Sequence, residues 1–414
     1  MKQRLVIFFV LMGSYFGFYL AFPLFPTIFL NESCRFISGD TSTAVRSILL
    51  GLTYTIYYIG GFIGMPLIGK FSDRIGRKPI LLITLFASTL MYILSAFAIQ
   101  FSSFTLLLFA RFLTGFFESN YSLAYTILLE TDKNSNEKLP NLEFWTTTVS
   151  NVGWILGSLI GWNLISISSL SLTLLSLPFW GACLLYFTCF LLVSSFFKEH
   201  KKPSYPKLEE KSSFFVILTS FKRSSLKPIL ISNMAFFAAT SIIFFYTPIF
   251  LMKQHNFEPA TLGTVDSCLS FSSCFAPFTY WLYSKYYSRK ETMCISSFGI
   301  AISLLLLVVL PFKSSVWCAL FLISYFTAIG FSFSTFLVTD YTPPEARGES
   351  LGVNQALFVL IEAVISFLCG LFAAVSFYLP LIIAILCALF SAGWIFYRLI
   401  LPTTAGSLKL SLQE

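Results

Sequence analysis

The chain has 414 residues, of which 56% are hydrophobic and 18% aromatic, and it carries a formal net charge of +8. Only 11% of its residues are charged, against about 25% in soluble domains, too few to cover a water-soluble chain of this length with polar surface. The composition therefore predicts an all-α membrane protein whose outer face is solvated by lipid.

A hydrocarbon core of about 30 Å asks for roughly 20 apolar residues in helix. Runs of that kind predict twelve transmembrane helices, over 5–30, 46–69, 79–99, 102–129, 142–165, 172–197, 228–252, 259–283, 291–311, 315–338, 349–376 and 378–400. The first opens after Lys2 and Arg4, is too long for a secretory signal and is followed by further spans, so it is expected to stay as a helix. The longest polar stretch, Lys198 to Lys211, runs into the apolar-basic segment Ser212 to Lys227, which reads as an interfacial helix. Three parts follow: a six-helix bundle over 1–197, a cytoplasmic linker over 198–227 and a second six-helix bundle over 228–414.

With the N-terminus inside, 22 of the 27 Lys and Arg residues fall on the cytoplasmic side and four outside, and Arg111 falls within a helix. The positive-inside rule then places both termini in the cytoplasm. The basic residues follow this topology, so no nucleic-acid partner is expected. Contacts with lipid phosphates are expected instead. Nine Cys and two His residues without a CxxC pair predict packing thiols and no metal site, and no cofactor is expected. The absence of a phosphate-binding P-loop argues against an ATP-driven pump, and no enzymatic activity is expected.

Two stretches echo each other at the ends of the second and eighth predicted helices. Ser72, Arg77 and Lys78 in the first recur as Ser284, Arg289 and Lys290 in the second. Such an echo is expected of two pseudo-symmetric bundles built from a duplicated six-helix unit.

Intramembrane ionisable groups are functional candidates by default, because burial in lipid is costly unless a partner or cavity compensates. Arg111 and Glu118 are seven residues apart in the fourth helix, which would place them on nearly one face, two turns apart. They could pair at a proton or substrate site or lock the helix structurally. Asp266 in the eighth helix and Glu362 in the eleventh could each carry a proton or sit in neutral hydrogen-bonded packing. Tyr15, Tyr19, Asn120 and Asn233 are candidate substrate contacts. Gly153, Gly157 and Gly161 recur every fourth residue, a spacing that lets helices pack closely.

The strongest motif is Gly69-Lys-Phe-Ser-Asp-Arg-Ile-Gly-Arg-Lys78 between the second and third helices. It resembles the signature loop of the major facilitator superfamily. Arg111-Phe-Leu-Thr-Gly115 resembles that family's fourth-helix motif, and Asp340-Tyr-Thr-Pro-Pro-Glu-Ala-Arg-Gly348 resembles its loop between helices ten and eleven. The Arg111-to-Gly161 region is similar to the twelve-helix drug:proton antiporters of the tetracycline-efflux type, although Ser158 stands where that branch has a Pro.

The resemblance implies a gating latch of Gly69, Asp73, Arg74, Gly76, Arg77 and Lys78. Asp73 would meet the start of helix eleven near Glu349, Arg77 would meet Glu130 or Asp132, and Asp340 and Arg347 would belong to the second-half loop. It further implies a monomeric secondary carrier in a bacterial inner membrane that exports a drug, siderophore or metabolite by alternating access, coupled to protons. Proton-coupled uptake of an amino acid or organic acid is the alternative, with Arg111 binding a carboxylate. A non-transporting membrane sensor is a third reading, without the large soluble domains that would support it.

Overall fold

The computed structural model describes residues 2–31, 33–133, 142–168, 170–198, 226–310, 313–343 and 347–401. Most of the predicted linker, including the greater part of the proposed interfacial helix, and the side chains of Asp132 and Glu349 lie outside the described residues. Among the described residues the ordered structure is helical, with no strand. That is the outcome required when lipid cannot satisfy backbone N–H and C=O groups.

Nine helices among the described residues are long and apolar enough to cross a membrane: 3–30, 43–75, 77–100, 172–196, 227–254, 289–309, 314–340, 350–375 and 379–400. The other three predicted spans also form helices. Two of them are each split, into Phe104–Phe117 with Asn120–Lys133 and Pro259–Ser273 with Ala276–Tyr286, and the third is Leu142–Ile167. These three carry Arg111, Glu118, the glycine stripe and Asp266.

The interruptions have local causes. Between Lys2–Ala21 and Leu24–Leu30, Pro23 and Pro26 each lack the N–H that would continue the ladder. Pro277 plays the same part at the start of Ala276–Tyr286. The predicted fourth helix breaks at Glu118-Ser119, where Glu118 leaves the helical region at φ −76°, ψ 43° and the Ser119 N–H turns to the Phe117 carbonyl at 2.8 Å. Ser and Asn side chains compete with the helical ladder, and Glu118-Ser119-Asn120 is the most polar run of the span. The 10-residue signature is not a loop either. The helix Thr43–Ile75 runs through it, is about 50 Å long at 1.5 Å per residue and outreaches the hydrocarbon core. The chain turns at Gly76 alone, whose φ of 123° suits glycine.

Packing groups the chain into two compact units. The first comprises Met1–Glu209, Leu251–Phe271 and Ser366–Val375. Within it, glycines let backbones touch. A Cβ at Gly115 would lie 1.9 Å from the Tyr57 carbonyl oxygen, and Cβ atoms at Gly60 and Gly64 would lie 2.1 Å from those of Phe112 and Phe116. The predicted stripe does the same against the first helix. Cβ atoms at Gly153, Gly157 and Gly161 would come within 2.4, 2.6 and 2.6 Å of the carbonyl oxygens of Met12, Phe16 and Leu20. In the same unit Gly51 and Gly370 abut, and Thr55 and Ser366 share a hydrogen bond of 3.0 Å.

The second unit comprises Glu210–Phe250, Ser272–Ile365 and Ser376–Glu414. There Gly299 and Gly330 meet rings. A Cβ at Gly299 would lie 2.6 Å from the Phe326 ring, and one at Gly330 would lie 2.3 Å from Phe236. Serines tie helices together, with Ser391 bonded to Ser232 at 2.9 Å and to Ser297 at 3.2 Å. In both units large apolar side chains such as Phe109, Leu184, Phe298 and Leu386 are exposed, as expected where lipid is the solvent.

Candidate substrate and proton site

The signature residues build an ionic corner. Arg77 is the hinge of it. Its Nη2 donates to Glu130 Oε1 at 2.8 Å, and its Nη1 pairs with Asp73 Oδ1 at 2.6 Å and donates to Ser72 Oγ at 2.5 Å. The expected Arg77–Glu130 pairing is therefore present, with Glu130 near the end of the Asn120–Lys133 helix. Asp73 bonds within its own segment. Lys78 reaches the last carbonyls of the Leu177–Phe196 helix, at Ser194 (3.0 Å) and Phe197, where a cation complements the negative end of the helix. A Cβ added at Gly69 would meet nothing within 4 Å, so no close approach calls for a glycine there and the tight turn rests on Gly76. Arg74 lies exposed on the same helix.

The second half repeats the corner. Arg289 Nη1 meets Asp340 Oδ1 at 2.5 Å, and Lys290 Nζ donates to the Leu399 carbonyl at 3.2 Å. The recurrence of Arg-Lys in sequence is thus matched by recurrence of partners, an acid near the end of the following span and a carbonyl ending the last helix of the half. Arg347 starts the helix Arg347–Val375 and is exposed.

Arg111 and Glu118 do not form the expected ion pair. The helix stops at Phe117, so the seven-residue register that would align them ends just short of Glu118. The Arg111 guanidinium instead lies over the rings of Tyr57 and Phe25, 4.3 and 4.8 Å from their centroids, a cation–π arrangement. Glu118 is 8% exposed and its Oε1 accepts a hydrogen bond from the Tyr186 hydroxyl. Its Oε2 is buried without a hydrogen-bond partner, as are Arg111 Nε, Tyr92 Oη, Ser119 Oγ and Asn120 Oδ1. Buried polar atoms are rarely left so, and their concentration around one helix break marks it as a functional candidate.

The other predicted residues fall in both units. Asn120 Nδ2 donates to Ser88 Oγ at 3.1 Å, a tie between helices. Tyr15 and Tyr19 belong to an aromatic run. Tyr15 meets Tyr121 edge-on at 5.2 Å and Tyr19 stacks on Trp154 at 4.7 Å. Asp266 is buried, and its Oδ2 accepts from Trp162 Nε1 at 2.8 Å, while Ser270 Oγ one turn on donates to the Asn151 carbonyl at 2.9 Å. In the second unit, Asn233 Nδ2 donates to Asn354 Oδ1 at 2.8 Å. Phe358, one turn beyond Asn354, joins a cluster with Phe237 and Phe331. Glu362, one turn further, is 9% exposed.

Tyr186, Tyr92, Tyr57, Tyr121 and Trp154 were not among the residues singled out by sequence. In a chain with 49 Phe and 19 Tyr, an aromatic residue in an apolar span looks like packing, and no local spacing connects Tyr186 to a carboxylate 68 residues away.

Comparison with known proteins agrees with this architecture. The family model described as Major Facilitator Superfamily matches residues 7–360 and 229–409. The tetracycline resistance protein, class B, of Escherichia coli is 32% identical over 185 residues, 45% of this chain and 41% of that protein, so the match spans less than half of the relative's length. The quinolone resistance protein NorA of Staphylococcus aureus is 22% identical over 86% of this chain and 85% of its own. Among solved structures, the human organic anion transporter MFSD10 (TETRAN) superposes with a TM-score of 0.68 at 18% identity, covering 96% of this chain and 97% of that one. The chain belongs to the Major Facilitator Superfamily.

Proposed function

We propose that this protein exports a small organic solute in exchange for protons by alternating access. In this reading it is a monomer in a bacterial inner membrane with both termini cytoplasmic. Bundles 1–197 and 228–414, joined by the linker 198–227, rock about a central site. The observation that carries the reading is Glu118, a carboxyl buried at a helix break with one oxygen held by a phenol and the other unsatisfied. A carboxyl so placed is suited to exchange a proton, because either protonation state finds a partner nearby. Arg111 holds the site electropositive from the adjoining helix. Asp266 and Glu362 are further proton-handling candidates in the eighth and eleventh predicted spans.

Resistance to tetracycline and quinolones in the names of its relatives supports a planar, partly apolar solute. The aromatic run Tyr15, Tyr19, Tyr121 and Trp154 offers faces for such a molecule to stack on. Asn233 and Asn354 offer polar contacts. The Asp73–Arg77–Glu130 corner acts as the gating latch, with Gly69, Arg74, Gly76, Lys78, Asp340 and Arg347 in supporting roles. The surrounding cytoplasmic Lys and Arg side chains meet lipid phosphates. Each net charge moved is driven by about 2.3 kcal/mol per 100 mV of membrane potential.

The test is flux of tetracycline and norfloxacin in proteoliposomes with an imposed proton gradient. Gradient-driven accumulation of either probe, lost in Glu118→Gln, is the expected result. Flux of a probe that ignores the gradient would retire proton coupling.

A further inference from the structure

Tyr186 sits in a place built for its ring. It is 1% exposed, 172 residues from Ser14 and 68 from Glu118 in sequence, and its hydroxyl touches both. Gly17 makes the room, since a Cβ there would lie 2.6 Å from Tyr186 Cε2. Tyr92 stacks on the other side at 5.1 Å with an interplanar angle of 22°. The hydroxyl thus joins three segments, Lys2–Ala21 through the Ser14 carbonyl, the Glu118 break and Leu177–Phe196.

Both partners of that hydroxyl are acceptors when Glu118 is ionised, the Ser14 carbonyl at 3.4 Å and Glu118 Oε1 at closer range. A phenol has one proton to donate and can also accept. With a carboxylate beside it, the proton points to Glu118 and the Ser14 carbonyl is left with the weaker contact. With a carboxylic acid beside it, the acid becomes the donor, the phenol oxygen accepts, and the phenol proton is free to turn to Ser14. No proton leaves the tyrosine in either case.

We propose that Tyr186 is a positioning residue that converts the protonation state of Glu118 into a hydrogen bond made to, or withdrawn from, the first helix at Ser14. This rests on the reading of Glu118 as a proton carrier. The ionisable groups facing the pair are Arg111, Tyr57 and Tyr92. Tyr92 contributes its ring to the stack, and its hydroxyl makes no hydrogen bond to Glu118 or Ser14. Loss of the Tyr92 hydroxyl should therefore leave the relay working. The carbonyl at Ser14 lies one residue before Tyr15, so a switch there acts directly on the aromatic run proposed to meet the solute.

Infrared difference spectroscopy of the full chain in phosphatidylcholine vesicles, with no solute added, tests the proposal. The pH is stepped between about 4 and 9, a range that covers ordinary and raised carboxyl titrations. Glu118→Gln identifies the Glu118 carboxyl band, ring-labelled tyrosine identifies phenol bands in the unmutated chain, and Tyr186→Phe and Tyr92→Phe assign them. The expected result is a phenol change that follows the Glu118 band, is lost in Tyr186→Phe and survives in Tyr92→Phe. A Glu118 band that titrates with no tyrosine change, or with one that survives in Tyr186→Phe, overturns the relay and spares the carrier reading. No titrating Glu118 band at all overturns both. If Tyr186→Phe does not fold, the labelled unmutated chain still decides whether a tyrosine follows Glu118.

Discussion

The two Arg-Lys corners use the same parts in different surroundings. Around Arg77, whose side chain is 10% exposed, three acceptors converge and Glu130 is 27% exposed. Around Arg289 a single acid answers, and both side chains are about half exposed, at 49% and 42%. The glycines differ in parallel. In the first unit Gly60, Gly64 and Gly115 bring backbone against backbone while Gly17 meets the Tyr186 ring, and in the second Gly299 and Gly330 meet phenylalanine rings. A repeated unit can therefore keep its ionic connections while the first copy adds backbone-to-backbone contacts to its ring contacts and the second relies on rings.

The largest expected effect comes from the closest contact. Gly115→Ala would drive a Cβ into the Tyr57 carbonyl, which cannot move without shifting a helix. The loss should be about 3 kcal/mol or more and show as poor recovery of monodisperse protein. Gly299→Ala meets the Phe326 ring, which can turn aside, and should cost about 1 kcal/mol. Equal losses in the two variants would break the contrast between a backbone contact and a ring contact.

The ionic corners give the next effect. Arg77→Ala removes several charge-assisted bonds and should lower stability by about 2 kcal/mol, read from thermal unfolding in detergent. Arg289→Ala removes an exposed pair and should cost under about 1 kcal/mol. That smaller loss should fade at high salt, because exposed charges are screened. A larger loss at Arg289 than at Arg77 would reverse the assignment. The smallest effect belongs to Gly69→Ala, which adds a Cβ where nothing stands. Replacing a helical glycine by alanine there should stabilise by about 0.5–1 kcal/mol. A loss would show that this position is needed in another conformation.

Much of the fold was legible because lipid imposes a simple rule, about 20 apolar residues per span. The helix ends follow the hydropathy within a few residues, except that Thr43–Ile75 runs six residues past its predicted end into the signature. The glycine stripe at Gly153–Gly161 announced its close packing, and Gly60-xxx-Gly64 carried the same signal without being read. The helix breaks were harder, since a split at Glu118-Ser119 and one at Cys274-Phe275 leave the average hydropathy of the span nearly unchanged. The Arg77–Glu130 pairing came through family resemblance and not from spacing, which cannot join residues 53 apart. The Arg111–Glu118 expectation failed for a related reason. Helical periodicity holds only while the helix continues, and the polar run containing Glu118 ends it.

The most direct measurement compares two assays on Glu118→Gln in the same proteoliposomes. One is exchange of labelled for unlabelled tetracycline or norfloxacin without a proton gradient, and the other is accumulation of that probe driven by a gradient. If Glu118 carries the proton, the variant should keep exchange within about twofold of the unmutated protein and lose at least about tenfold of the driven accumulation, a loss equivalent to about 1.4 kcal/mol. Driven accumulation that survives in Glu118→Gln at the unmutated level would contradict the assignment of the proton to this carboxyl.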